Sequence, residues 1–242
     1  MKRMLLVTLG VGCLLQANLL PANDEIPQRL QVTKTEHADL PAGGALRFKN
    51  STGELTIEGW DQPGVEITTT KSTKLEYLPA GTEREKASHI LDEVKVTAAP
   101  QGADLVITTD FPRHRRFMPR PSVGSRDFDL DYLIKVPRDA KIFVDHDSGE
   151  VHFDGVTGDI HATVIQGLVT LRLPQAAQYS IDADSKIGAV TSDFAGTTKR
   201  HHFGHAFLQD AAQKNSAPHS LYLRNGFGDI IILKIEQPLP LK

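Results

Sequence analysis

The chain has 242 residues, of which 40% are hydrophobic and 24% charged, and its formal net charge at pH 7 is −3. This composition excludes a disordered or collagen-like chain, and the slight acidic excess argues against a general nucleic-acid-binding protein. The length suits one large all-β domain or two small ones, and the single cysteine, Cys13, excludes a disulfide framework.

The start of the chain has the pattern of a secretory signal peptide. A basic dipeptide at positions 2 and 3 precedes a 12-residue apolar run, Met4 to Leu15, and Ala22 offers a small residue for cleavage. The run is too short to cross a bilayer comfortably. We therefore expect residues 1–22 to be a signal peptide and residues 23–43 a leader or linker, with no integral membrane span after cleavage.

The alternative fate of the leader is lipidation at Cys13. Small residues in the stretch GVGC precede this cysteine, but Gly10 stands where a lipobox carries leucine. If the signal peptide is removed instead, the mature chain contains no cysteine. That excludes a thiol nucleophile and leaves stability to the core and to strand pairing.

Short runs of alternating apolar and polar residues begin near residue 45, and this period of two is typical of half-buried strands. The apolar positions of the first three runs are Leu46 and Phe48, Leu55 and Ile57, and Val65 and Ile67. A different period follows from Thr82 to Glu93, where apolar residues at helical spacing predict one short helix. Strands then resume as a hairpin through PQG, and as DFDLDYLIKVP, which alternates from Phe128 to Val136.

Glycines recur every nine residues in the second half of the chain, at Gly149, Gly158 and Gly167. A phosphate-binding loop would need a helix to begin after the glycine. Alternating runs rich in Val, Ile and Thr follow instead, so we interpret the glycines as corners between strands. The sequence predicts an all-β fold of short strands, stacked as a β-solenoid-like or two-sheet domain over residues 44–242, with a loop at 112–126 and an insertion at 195–219.

Three longer stretches carry a family resemblance: NSTGELTIEGWDQPGVEI, DYLIKVPRDAKIFVDHDSGEVHFDGVTGDI and LRNGFGDIIILK. With the short helix, they resemble the bacterial family of exported adhesin-like proteins that have a DUF4097-type domain, over residues 44–235. The resemblance implies a β-solenoid-like fold and an adhesin-like role. Its motifs are turn-and-strand patterns, so they indicate a fold more than an activity.

Histidines and aspartates are the candidates for chemistry. His201, His202 and His205 lie in KRHHFGH and could bind zinc, nickel or copper, but no Cys, Asp or Glu within the cluster completes a site. The simpler interpretation is a polar loop, so we predict no metal and no cofactor. A metal-binding periplasmic protein stays an alternative function.

Three sets of aspartates could each share one strand face: Asp145 and Asp147; Asp182 and Asp184; and Asp127, Asp129 and Asp131. Glycoside hydrolysis needs two carboxylates about 5 to 9.5 Å apart. Residues two apart on a strand lie about 6.5 to 7 Å apart, so any acidic outer face meets this condition. We predict no catalytic residue, and a carbohydrate-active enzyme stays an alternative.

The loop at 112–126 concentrates positive charge on a net-acidic chain. Its arginines suit anionic partners such as envelope lipid or polysaccharide, and the candidates are Arg113, Arg115, Arg116 and Arg120. We predict an exported, non-enzymatic module of the periplasm or cell surface, adhesin-like, that binds or scaffolds through strand faces and loops. Another envelope protein is the alternative partner, and nucleic acid is excluded.

Overall fold

The computed structural model describes residues 26–78, 81–111, 128–175, 178–194, 196–200, 205–209 and 217–236. Within these ranges the chain forms seventeen strands and one helix, which confirms the all-β fold class. The elements are β1 (Gln28–Ala38), β2 (Ala45–Thr52), β3 (Glu54–Trp60), β4 (Val65–Tyr77), α1 (Thr82–Glu93), β5 (Lys95–Gln101), β6 (Asp104–Asp110), β7 (Phe128–Pro137), β8 (Lys141–Ser148), β9 (Val151–Asp154), β10 (Ile160–Gln166), β11 (Val169–Pro174), β12 (Tyr179–Ile187), β13 (Val190–Ser192), β14 (Thr197–Arg200), β15 (Ala206–Gln209), β16 (His219–Phe227) and β17 (Ile230–Ile235).

The strands form two sheets. The eight-stranded sheet has the order β1-β4-β7-β3-β9-β11-β17-β13, and the nine-stranded sheet has the order β14-β15-β12-β16-β10-β8-β2-β6-β5. Six pairs of consecutive strands begin in the nine-stranded sheet and end in the eight-stranded sheet, and in five of them only one or two residues join the strands: β2–β3, β8–β9, β10–β11, β12–β13 and β16–β17. We call each of these five closely joined pairs a rung, and neighbouring rungs are parallel in both sheets.

The rungs do not stack in chain order. In space they follow the order β2–β3, β8–β9, β10–β11, β16–β17 and β12–β13, so the rung latest in the chain lies between two earlier ones. β16 pairs with β10 on one side and with β12 on the other. The sequence analysis did not foresee this order.

The core lies between the two sheets and contains the apolar residues of the alternating runs that the sequence analysis identified. β7 shows this most clearly, because its five alternating apolar residues, from Phe128 to Val136, are all buried. Phe48 of β2 packs edge-on against Tyr132 of β7 with 4.8 Å between ring centroids. Such aromatic contacts across the core join the two sheets.

Antiparallel strands and the helix α1 extend one end of the stack. β4 pairs antiparallel with β7 and with β1, and β5 pairs antiparallel with β6. The helix has the predicted bounds, and its Ala87 and Leu91 are buried. Lys71 of β4 holds the end of α1, because its Nζ donates to the carbonyl oxygens of Leu91 at 2.9 Å and Val94 at 2.7 Å.

Two segments outside the rungs also contribute strands. β1 lies within residues 23–43, which were expected to be a leader or linker, and it pairs with β4 over most of its length. The insertion at 195–219 contributes β14 and β15, which extend the nine-stranded sheet beyond β12 as an antiparallel pair. Within the described ranges, no helix combines the length and the apolar character needed to cross a bilayer.

Candidate binding face on the nine-stranded sheet

Five glycines form the corners at which the rungs pass from one sheet to the other. This glycine corner row consists, in spatial order, of Gly53, Gly149, Gly167, Gly228 and Gly188, all with positive φ. A Cβ at Gly149 would overlap the carbonyl oxygen of Gly53, and a Cβ at Gly167 would overlap that of Gly149. The predicted corners at Gly149 and Gly167 are confirmed. Gly158 has an ordinary φ, but a Cβ there would overlap backbone at Ala140.

Buried polar side chains bind the carbonyl groups of these corners. Asn225 Nδ2 donates to the carbonyl oxygen of Gly167 at 2.8 Å, and Ser185 Oγ donates to that of Gly228 at 2.7 Å. Both side chains are almost fully buried, so each corner carbonyl that they reach is paired inside the protein. The rungs are thereby fixed in register.

His146 has the same role at the first corner. Its Nε2 lies 3.1 Å from the carbonyl oxygen of Gly53 and therefore donates, and its Nδ1 accepts a hydrogen bond from Ser51 Oγ at 2.7 Å. Burial lowers the pKa of His146 to about 4, although hydrogen bonds to backbone partly offset this effect. His146 is thus neutral near pH 7, and its neighbours Asp145 and Asp147 point away from the core.

On the outer face of the same strands, aromatic rings lie side by side in register. Phe143 of β8 pairs with His161 of β10, which pairs with Tyr222 of β16. The ring centroids are 4.9 Å apart for the first pair and 5.7 Å for the second. A guanidinium group lies over the outer ring at each end of this series of rings. Arg47 Cζ is 4.2 Å from the centroid of the Phe143 ring, and Arg224 Cζ is 3.8 Å from the centroid of the Tyr222 ring. We call these five residues the aromatic–arginine row.

Aspartates hold both arginines in place. Arg47 Nε donates to Asp104 Oδ2 at 2.6 Å, while Asp104 Oδ1 accepts from the Ala45 backbone at 3.0 Å. The Arg47 hydrogen bond, followed by the Ala45 one, lowers the pKa of Asp104. Arg224 Nη2 donates to Asp182 Oδ2 at 2.9 Å, and its Nη1 reaches two backbone carbonyl oxygens.

The structure brings together two groups that the sequence analysis treated separately. His205 Nε2 lies 3.0 Å from both carboxylate oxygens of Asp184, on the outer face beside Arg224. His201 and His202 lie outside the described residues. Among the residues that are described, no group of three or more His, Cys, Asp or Glu is arranged to hold a metal ion.

The third aspartate set lies on the other sheet. Asp131 of β7 pairs with Glu54 of β3 in the eight-stranded sheet, and burial, with the charges of Glu54 and Asp129, raises the pKa of Asp131. Asp129 Oδ1 lies 3.7 Å from Lys74 Nζ. Asp127 is outside the described residues. The aspartate sets therefore do not converge on one site.

The candidate arginines Arg113, Arg115, Arg116 and Arg120 also lie outside the described residues. Residues 112–127 lie between β6 and β7 in the sequence, and the ring centroids of the flanking residues Phe111 and Phe128 are 6.5 Å apart.

None of the five members of the aromatic–arginine row was singled out from the sequence. A signal was present, since Phe143 and His161 are eighteen residues apart, the same separation as Gly149 and Gly167. Gly149 and Gly167 occupy equivalent positions in two neighbouring rungs. Phe143 and His161 have the same separation in the sequence, so they also occupy equivalent positions and lie side by side on neighbouring strands.

Comparison with known proteins gives similarity to solved structures only. No family model matches the chain, and no curated protein matches it. A "putative cell adhesion protein" from Clostridium sporogenes shares 12% identity with a TM-score of 0.44, covering 85% of this chain and 100% of the other.

Two further structures are less similar. A "putative adhesin" from Bacteroides fragilis has 10% identity and a TM-score of 0.28, with 86% of this chain and 99% of the other covered. A "putative lipid binding protein" from Parabacteroides distasonis has 8% identity and a TM-score of 0.21, with 86% and 97% covered. Because these identities and scores are low, the proposals below rest on the chain's own geometry.

Proposed function

We propose that the chain is an exported, non-enzymatic module of the periplasm or cell surface that holds an envelope partner on the outer face of its nine-stranded sheet. The aromatic–arginine row carries this proposal. Aromatic residues and arginine are enriched where proteins bind partners, and Tyr222 is 40% exposed.

The rigidity of the row also supports binding. The glycine corner row fixes the strands, and Asp104 and Asp182 fix the two guanidinium groups. A surface that is ordered before the partner arrives loses little conformational entropy on binding. Each of these aspartates already has a partner: Asp104 binds Arg47, and Asp182 binds Arg224. The neighbouring Asp184 binds His205. These contacts favour a structural role for the three carboxylates over acid–base chemistry.

The test is co-sedimentation of the mature chain with isolated envelope fragments. We expect the double variant His161→Ala and Tyr222→Ala to bind at least about tenfold more weakly than the parent, because it removes two of the three rings. The matched control is His152→Ala, which removes a ring from the outer face of the eight-stranded sheet. Equal binding by the parent and the double variant would contradict the proposal.

We also propose a second, electrostatic contact through the loop at 112–126. Five arginines lie between Arg113 and Arg126 on a chain with a net charge of −3, and guanidinium groups bind phosphate and carboxylate in a bidentate manner. The partner would be anionic envelope lipid or polysaccharide.

A further inference from the structure

In the described part of the chain, the two sheets have four edge strands, and these differ in how well they are protected from pairing with a further strand. β13 has three residues and β14 has four, while β5 contains Pro100, which lacks a backbone N–H. Short strands and proline keep sheet edges from adding strands. β1, the fourth edge, has eleven residues and no proline. It is therefore the edge best suited to pair with another chain.

The second half of β1 is a regular strand. Its register with β4 is interrupted only between Arg29 and Gln31, so the pairing from Gln31 to Ala38 is continuous. Among the described strands, β4 lies on one side of β1 and no strand lies on the other. Alternate residues of an edge strand direct their backbone N–H and C=O groups away from the sheet. β1 thus offers a row of backbone donors and acceptors to a further strand.

The side chains of β1 are complementary to an antiparallel copy of the same strand. When Thr35 is placed opposite Thr35 of a second copy, Lys34 lies opposite Glu36 and Glu36 opposite Lys34. Two positions further out on the same face, Val32, which is 41% exposed, lies opposite Ala38. Opposite charges and apolar residues that face each other across strands stabilise a sheet.

Neighbouring registers lack this complementarity. A two-fold axis perpendicular to the sheet keeps inner faces together, so it passes between a residue and its own copy. An axis at Lys34 would set two ammonium groups against each other, and one at Glu36 would set two carboxylates. An axis at Thr33 would set Val32 against Lys34. Among these four positions, only Thr35 pairs opposite charges with each other and apolar residues with each other.

The charged side chains are accessible to a second copy. Those of Lys34 and Glu36 are 62% and 38% exposed, and they form an ion pair along their own strand. On the outer face of the sheet, the hydroxyl of Thr35 lies 2.9 Å from that of Thr68. We infer that two copies of the chain pair antiparallel through β1, with the two-fold axis at Thr35, so that their eight-stranded sheets become one continuous sheet. This contact lies on the other sheet from the proposed binding face and does not depend on the proposed function.

The experiment is sedimentation velocity of the mature chain over a range of concentrations, at which we expect the parent to form a dimer. Lys34→Glu alone sets carboxylates against carboxylates, and Glu36→Lys alone sets ammonium groups against each other. Each variant should therefore dimerise at least about tenfold more weakly. An equimolar mixture of the two should dimerise like the parent, because each strand carries the charges that the other needs. Lys95→Glu makes the same change of charge on the edge strand β5 and is the matched control.

Crosslinking tests the register. Thr35→Cys should form a disulfide-linked dimer on oxidation, because directly opposed residues have Cβ atoms about 4.5 to 5.5 Å apart. The control Thr33→Cys lies on the same face, but its own copy would be about 13 Å away along the strand, so it should not crosslink. Without residues 1–22 the chain has no other cysteine.

Thermal melting of each variant establishes that it is folded. A parent that is monomeric at about 0.1 mM would overturn the inference. So would a dimer that neither charge variant weakens, or a mixture of the two variants that stays monomeric. Crosslinking of Thr33→Cys in place of Thr35→Cys would overturn the axis at Thr35. The envelope-binding test uses variants of the nine-stranded sheet, so the proposed function fails or stands separately.

Discussion

The glycine corner row and the aromatic–arginine row lie on the same strands, yet they place opposite demands on their residues. At the corners, φ is positive and a side chain at Gly149 or Gly167 would overlap a neighbouring carbonyl. On the outer face, the rings of His161 and Tyr222 contact each other and solvent. The corners therefore determine whether the rungs stack, and the outer face determines what the stacked rungs present.

The difference also appears in how polar groups are paired. Under the corners, His146 and Ser185 are fully enclosed and bind backbone carbonyl oxygens. On the outer face, Arg47 and Tyr222 keep polar atoms that are open to a ligand. A substitution in the first set should cost stability, and one in the second should cost binding with little loss of stability. Four predictions test this separation.

The largest effect is expected for Gly149→Ala. The new Cβ would overlap the Gly53 carbonyl oxygen at a φ of 122°, so both steric overlap and backbone strain destabilise the fold. We expect the free energy of unfolding to fall by about 3 kcal/mol or more, as measured by denaturant unfolding.

Gly102→Ala is the matched control for this substitution. Gly102 also has positive φ, at 67°, but nothing lies within 4 Å of its would-be Cβ. Its loss should be about 1 kcal/mol, from backbone strain alone. Equal losses at the two glycines would show that overlap between corners does not contribute.

The next effect concerns His146 and pH. Its pKa is about 4 in the folded chain and about 6.5 when unfolded, so the unfolded chain binds a proton first as the pH falls. The stability contributed by the neutral ring is complete above pH 6.5 and is lost between pH 6.5 and 4, by up to about 3 kcal/mol.

His146→Gln isolates this contribution. A glutamine amide can still donate to the Gly53 carbonyl oxygen, but it does not titrate. Stability curves at several pH values should be flatter between pH 4 and 6.5 for the variant than for the parent. Parallel curves would assign the acid sensitivity to other groups.

A smaller effect is expected for Tyr222→Ala. Its ring contacts His161 and Arg224 on the outer face, and such contacts contribute about 1 kcal/mol or less to stability. The neighbouring Leu223 is fully buried, so Leu223→Ala should cost about 2 to 5 kcal/mol. Melting curves of the two variants measure both losses of stability. Equal losses would show that the outer face contributes to stability as much as the core does.

The smallest effect is expected for the loop at 112–126. Replacement of Arg113, Arg115, Arg116 and Arg120 by serine should leave the melting temperature nearly unchanged, because exposed charges contribute about 0 to 1 kcal/mol per pair. If the loop engages anionic partners, co-sedimentation with anionic liposomes should fall for the variant, and high salt should weaken parental binding. Equal retention of parent and variant at every salt concentration would contradict the second contact.

Local pattern in the sequence was sufficient to predict most strands, the helix and the corners at Gly149 and Gly167. Alternation in β7 and helical spacing around Leu91 depend on neighbours in the chain, which the sequence displays. The contact of Ser51 with His146 joins residues 95 positions apart, and no local pattern encodes it. Tyr222 lies beside His161 only because β16 is placed between earlier strands, so the candidate binding face needed the three-dimensional order of the rungs.

The position of β16–β17 within the stack affects how the protein is made. β10 and β12 have β16 as their shared parallel neighbour, so a nascent chain that ends before His219 lacks the strand that joins them. Contacts between distant segments form slowly, because the loop between them must close first. Both sheets are therefore continuous only after residues 219–235 have emerged from the ribosome.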